Sequence, residues 1–251
     1  MVIHNDGVPE DEMRMMAPAD IGIYVARFQS PRQKGHEYRD DRVRAFAQSR
    51  DLVRAAEMLG SMPLDCIGIA YASGCLISGM GWDESVAQAV TELTGGIPTV
   101  GAATATVAAW QALGLRSPLV VVPAWFGNGL VEAAADFGSE LDLHIESVVR
   151  ADMGPEWIGL EPREIYDRGG GWRQDPRRLE RFIESAIGGD ADGVVVLGSG
   201  LRVVEVISSL EARIARPVVT PQQALLWYWL RGRGIDDGGE GYGRLFTCPL
   251  P

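Results

Sequence analysis

Cysteine, histidine and positive charge are all scarce in this chain of 251 residues. Its three cysteines, Cys66, Cys75 and Cys248, are too few and odd in number for a disulfide framework, and they fit a reducing compartment. Its three histidines, His4, His36 and His144, are scattered, and no Cys-x-x-Cys pair or Cys/His cluster accompanies them, so no metal site is expected. Lysine and arginine number 23 against 34 aspartates and glutamates, a net charge of −11 with no basic stripe, which argues against a nucleic-acid partner. No apolar run reaches the roughly 20 residues of a membrane span. The opening residues, MVIHNDGVPEDEM, are acidic and lack the apolar centre of a signal peptide. Phosphate-loop fingerprints are missing too. These absences point to a cytoplasmic protein with no membrane partner and no metal or nucleotide cofactor.

Hydrophobic residues make up 46% and charged residues 23%, the balance of an ordinary globular protein with a proper core. The chain is organised around Asp65 to Gly79, DCIGIAYASGCLISG, where a buried strand, Cys66 to Tyr71, opens onto the small residues Ala72-Ser73-Gly74-Cys75. Asp192 to Arg202, DGVVVLGSGLR, repeats the pattern of an acidic residue, an apolar run and a Ser-Gly loop. Small residues at the C-terminal end of a strand let backbone N–H groups turn toward a ligand. Two such ends facing each other would frame a site between two halves of the chain.

Around these stretches the elements alternate. Residues 1–19 read as a loose acidic leader and Ile21 to Val25 as the first strand. A helix is expected over 39–59, from apolar spacing at Val43, Phe46, Leu52, Val53, Ala56 and Leu59. Asp83 is placed to cap a helix over 84–93, and Thr104 one over 105–113. The pattern restarts at Leu119, with Pro123 to Asn128 as an exit loop and a strand expected over 141–149. Residues 150–174, rich in Gly, Trp and Arg, read as a long loop with a short helix covering the site. Asp175-Pro176 starts a helix. The last helix begins at Gln222, and the glycine-rich tail after it is expected to be mobile. Strands alternating with helices imply parallel sheets. The fold class is therefore α/β, in two pseudo-symmetric, Rossmann-like halves over 20–116 and 117–221. The helix over 222–234 is expected to pack back on the first half, and 1–19 and 235–251 are expected to be loose tails.

Several stretches together resemble one family. PVVTPQQALLWYWLRGRG is similar to the closing helix of maleate cis-trans isomerases, which arylmalonate decarboxylases carry in a related form. GIPTVGAATATVAAWQALGLRSPLVVVPAW and Asp192 to Leu201 are similar to other stretches of the same family. The resemblance covers roughly residues 20 to 234. It implies the aspartate/glutamate racemase superfamily fold, with the site in the cleft between the halves, and chemistry without a metal or organic cofactor. Racemases and maleate isomerases use one cysteine from each half; arylmalonate decarboxylases keep only the second.

This chain departs from that pattern. The first cysteine position falls on Ser73, with Gly74 and Cys75 after it, and the second falls on Gly198, followed by Ser199 and Gly200. Cys66 lies in a strand and Cys248 in the tail, so Cys75 is the thiol left as acid or base, unless it is a small buried hydrophobe. Ser73 and Ser199 are expected at the chemistry as hydrogen-bond donors, with Gly74, Gly198 and Gly200 giving the backbone its close approach. Thr104 matches a family threonine, and Trp125 falls where arylmalonate decarboxylases carry a tyrosine lining the site. Gln29, at the end of the expected first strand, falls where maleate isomerases carry an asparagine. Arg27 and Arg202 flank two of the loops, and either can pair with a carboxylate. The expected function is a cofactor-independent isomerase, racemase or decarboxylase of a small mono- or dicarboxylic acid, through an enediolate or carbanion held between the Ser/Gly loops. Two alternatives stay open: a cysteine-depleted relative that binds a small carboxylate without turnover, and a lyase or hydratase on the same scaffold. A homodimer is also left open.

Overall fold

The computed structural model describes residues 1–30, 36, 43, 45–141 and 143–251. Among the described residues, eight short strands, all paired in parallel, form two sheets. In the first half β1 (Val2–Ile3) pairs with β2 (Arg27–Phe28), and β3 (Ile67–Ile69) pairs with β4 (Thr99–Gly101). A parallel bridge between Val2 and Ala70 joins the two pairs, with the Ala70 N–H donating to the Met1 carbonyl at 3.0 Å. In the second half β5 (Leu119–Val122), β6 (Ser147–Arg150), β7 (Val194–Val196) and β8 (Val218–Val219) lie in the order β6-β5-β7-β8. Both halves therefore share the order second, first, third, fourth.

Every residue of β5 and β7 is buried. Helices cover both faces of a parallel sheet, so its central strands read as continuous apolar runs rather than alternating ones. Burying each such side chain contributes about 1.5–3 kcal/mol. Helix starts follow local chemistry. Asp175 caps the helix Pro176–Ala186 through the Arg177 N–H, as its Asp-Pro sequence predicts. Thr220 and Gln223 cap the helix Pro221–Gly232 reciprocally. That last helix packs against the helices Val8–Met16 and Ala102–Ala112. No helix among the described residues is long and apolar enough to cross a membrane.

Several expectations need correcting. Residues 1–19 are not a loose leader: Met1, Val2 and Ile3 are buried in the sheet, and Val8–Met16 is a helix with Met16 in the core. Ile21 to Val25 is not a strand. Ile21 and Val25 pack on the core from outside, while Tyr24 is exposed. The true first strand is too short to leave an apolar run, and the sheet around it supplies its pairing. The tail is anchored: Leu245 and Phe246 are buried, and Trp227 Nε1 donates to the Cys248 carbonyl at 2.9 Å. Asp83 lies inside the helix Met80–Leu93 and caps a different helix, described below. Of the helix expected over 39–59, the described part is a helical Val43, a 3-10 turn at Ala45–Gln48 and the helix Arg50–Gly60; residues 31–35, 37–42 and 44 lie outside those described. The strand expected over 141–149 is Ser147–Arg150.

Candidate active site between the two halves

In a sheet of this order the chain leaves in opposite directions from its first and third strands. The ends of those strands open a crevice. Here the crevices of the two halves face each other. The loops after β1, β3, β5 and β7 enclose a space of about 30 Å³ whose walls include Asp6, Ser73, Trp125, Tyr166, Ser199 and Gly200. Ser73 comes from one half and Ser199 from the other.

Three side chains bring to this space a polar atom that has no partner among the described residues. Ser199 Oγ is buried and makes no hydrogen bond, and the Ser73 hydroxyl makes none among the described residues. The Asp6 carboxyl is nine-tenths buried; its Oδ1 accepts from the Val8 N–H at 3.1 Å, and its Oδ2 has no partner among the described residues. Burial pushes the Asp6 pKa up from 3.8 to about 7, against the pull of that N–H and of Arg27. Leaving a buried polar group unpaired costs about 1–3 kcal/mol. Ser199 Oγ is such a group, and with the Ser73 hydroxyl and Asp6 Oδ2 beside it the space suits a polar ligand.

Packing fixes the loops that carry these groups. A β-carbon on Gly74 would stand 2.2 Å from the Trp82 ring, and one on Gly198 would stand 2.4 Å from Pro123. Gln222, wholly buried, donates from Nε2 to the Ser199 carbonyl at 2.5 Å and so holds the second loop from behind. Glu12 does the same further along: its Oε1 accepts from the N–H groups of Val203 and Val204 at 2.6 and 2.9 Å. Burial pushes the Glu12 pKa up to about 8, against the pull of those two N–H groups and of Arg202.

Other residues expected at the site lie elsewhere. Cys75 is two positions beyond Ser73 in the helix Ser73–Ser78, roughly 200° around it at 3.6 residues per turn. Its thiol donates to the Ala72 carbonyl at 2.8 Å and packs in the core, away from the space. Thr104 donates to Asp83 Oδ2 from its hydroxyl at 2.7 Å and from its N–H at 3.0 Å, so it belongs to the cap of the helix Ala102–Ala112. Arg27 is tied to the Ile3 and Asp6 carbonyls and to Glu10, bracing the loop after β1. Gln29 sits at the end of β2, not of the first strand, beside His4 and Asp51. Arg202 lines a separate outer pocket. Trp125 does line the space, with its ring 6.1 Å from that of Tyr166.

Sequence reasoning missed Asn5, Asp6, Tyr166 and Trp172. The one local signal was Pro9 in the first turn of the helix Val8–Met16, which marks a helix start just after Asp6. Tyr166 and Trp172 belong to the expected cover, which folds as a 3-10 turn, Pro155–Trp157, and the short helices Pro162–Asp167 and Gly170–Arg173.

No protein-family model matches the sequence, and no curated protein matches it. Solved structures do. The maleate isomerase Iso from Pseudomonas putida superposes with a TM-score of 0.80 at 19% identity, over 98% of this chain and 96% of that one. Nocardia farcinica maleate cis-trans isomerase gives 0.77 at 18%, over 98% and 95%. Arylmalonate decarboxylase gives 0.68 at 24%, over 98% and 97%. The chain thus has the fold of maleate isomerases and arylmalonate decarboxylase, the aspartate/glutamate racemase-like architecture expected from its sequence.

Proposed function

We propose that this protein is a cofactor-independent enzyme that moves a proton at the α-carbon of a small carboxylic acid, as a racemase or decarboxylase. The observation that carries this reading is the meeting of Asp6, Ser73 and Ser199 at one space between the halves, all with unpartnered polar atoms. Asp6, with a pKa near 7, suits general acid–base work at neutral pH. As a carboxylate it takes the α-proton, and the C–H electron pair moves into the substrate carboxyl to give an enediolate. The Ser73 and Ser199 hydroxyls donate to the enediolate oxygens. Racemisation then needs the planar enediolate to turn its other face to Asp6, which gives the proton back on that face; return to the first face restores the substrate and shows only as exchange with solvent. On a malonate-type acid the C–C bond breaks instead: CO₂ leaves, its electron pair forms the enediolate, and protonated Asp6 supplies the proton.

The fold likeness to maleate isomerases and arylmalonate decarboxylase supports chemistry of this kind. No thiol lines the space among the described residues, so thiolate addition to a double bond has no nucleophile there. The same missing thiol favours a second reading, a protein that binds a small acid without turnover. Incubation with α-substituted acids and malonates in D₂O separates the two. Deuterium at the α-carbon, loss of optical rotation or CO₂ release supports the enzyme. Calorimetric binding of such an acid with no exchange supports the binder.

A further inference from the structure

The space at the serines is small, and at about 30 Å³ it holds about one water. Beside it lies a chamber of about 220 Å³, sharing Asp6, Trp125, Tyr166 and Gly200 and lined in addition by Asn5 and by Trp172 of the cover. Beyond Trp172 is a third space of about 480 Å³, bounded by the apolar Val8 and Met15, by Arg14 and Arg202, and by the acidic Asp11, Glu12 and Glu205. Among the described residues, Trp172 alone lines both the second and the third.

Among the described residues, Asn5 accepts two bonds from the cover. Tyr166 Oη donates to Asn5 Oδ1 at 2.8 Å, and Trp172 Nε1 donates to the Asn5 carbonyl at 3.0 Å. The indole lies over Gly7, where a β-carbon would stand 2.0 Å from the ring. It is nevertheless 52% exposed, and the outer pocket offers it Val8 and the exposed Met15 as apolar surface to turn onto. In that pocket the Arg202 guanidinium makes no hydrogen bond or ion pair among the described residues; the residue's backbone N–H donates to Gln174.

We propose that this is the access route: the outer pocket receives a small carboxylate at Arg202, and Trp172, released from Asn5, is the gate it passes to reach Asp6 and the serines. The gate concerns access and holds with or without turnover. The role of Arg202 rests on the reading of a small acid as ligand.

A Ser199→Cys variant carrying Cys66→Ser and Cys248→Ser places a reporter thiol at the inner end of the route, with core Cys75 as internal control. Its alkylation is followed by mass spectrometry with iodoacetamide and with iodoacetate, which differ mainly in charge. Trp172→Ala and Asn5→Ala are each expected to speed alkylation at position 199 about tenfold with both reagents, Cys75 staying slow. Arg202→Gln is expected to slow iodoacetate severalfold and leave iodoacetamide unchanged. Unmoved rates at position 199 in Trp172→Ala and Asn5→Ala overturn the gate, and so does equal acceleration at Cys75, which reports general loosening. Iodoacetate indifferent to Arg202→Gln overturns the carboxylate role. Failure of the proton-transfer reading shows separately, as absent deuterium exchange in the unmodified protein with the gate rates as predicted.

Discussion

The carboxyl of Asp6 lies against Gly200, so close that a β-carbon on this glycine would stand 3.0 Å from Asp6 Oδ2 and 3.1 Å from Trp125 Cζ2. Asp6 follows β1 of the first half, and Gly200 follows β7 of the second. Gly200→Ala therefore pushes into the contact between the halves. It should lower kcat/KM on any substrate found and cost about 1–3 kcal/mol of stability, read by denaturant unfolding.

Asp6 also sets a pH dependence. Burial raises its pKa from 3.8 to about 7, so the folded protein keeps a proton that the unfolded chain releases. Stability then falls as pH rises between those values. Asp6→Asn keeps the acceptor for the Val8 N–H and removes this part of the slope. The variant should be more stable than the parent at about pH 8, by a few kcal/mol at roughly 1.36 kcal/mol per pKa unit, with the gap closing near pH 4. Glu12, raised to about 8, adds a slope of the same sign that persists in the variant.

The two serines should behave as ligand donors rather than structural ones. Neither hydroxyl has a partner among the described residues, so Ser73→Ala and Ser199→Ala should leave the melting temperature unchanged or slightly raised. Each should lower turnover about 10²–10³-fold, the usual effect of losing an oxyanion donor. A large fall in melting temperature would show that the hydroxyls serve the fold instead.

Thr104 makes the opposite case. Its hydroxyl is spent on Asp83, whose pKa burial raises. Thr104→Val should cost about 1–3 kcal/mol in unfolding experiments and leave kcat and KM alone.

Much of this arrangement was legible in the sequence, for physical reasons that also set the limits. Leu119–Val122 and Val194–Val196 are covered on both faces, so burial writes itself into them as unbroken apolar runs. Ser73 and Ser199 follow buried strands, where small residues mark a close approach. β1 was hidden because its two residues borrow their order from β2 and Ala70 across the sheet. With β1 hidden, Asp6 had no visible place, and the end of the first strand was sought at Gln29. Cys75 stood close to Ser73 in sequence, but two helical positions turn it toward the core. The Asn5 bonds to Tyr166 and Trp172 span 161 and 167 positions, beyond the reach of any local pattern.

The central claim is that Asp6, and not Cys75, moves the proton. Deuterium incorporation at the α-carbon, followed by NMR in D₂O on the best acid from the screen, tests it in the parent, Asp6→Asn and Cys75→Ala. The account predicts exchange in the parent, exchange lowered at least about 10²-fold in Asp6→Asn, and near-parental exchange in Cys75→Ala. Exchange that survives in Asp6→Asn and disappears in a folded Cys75→Ala would contradict it.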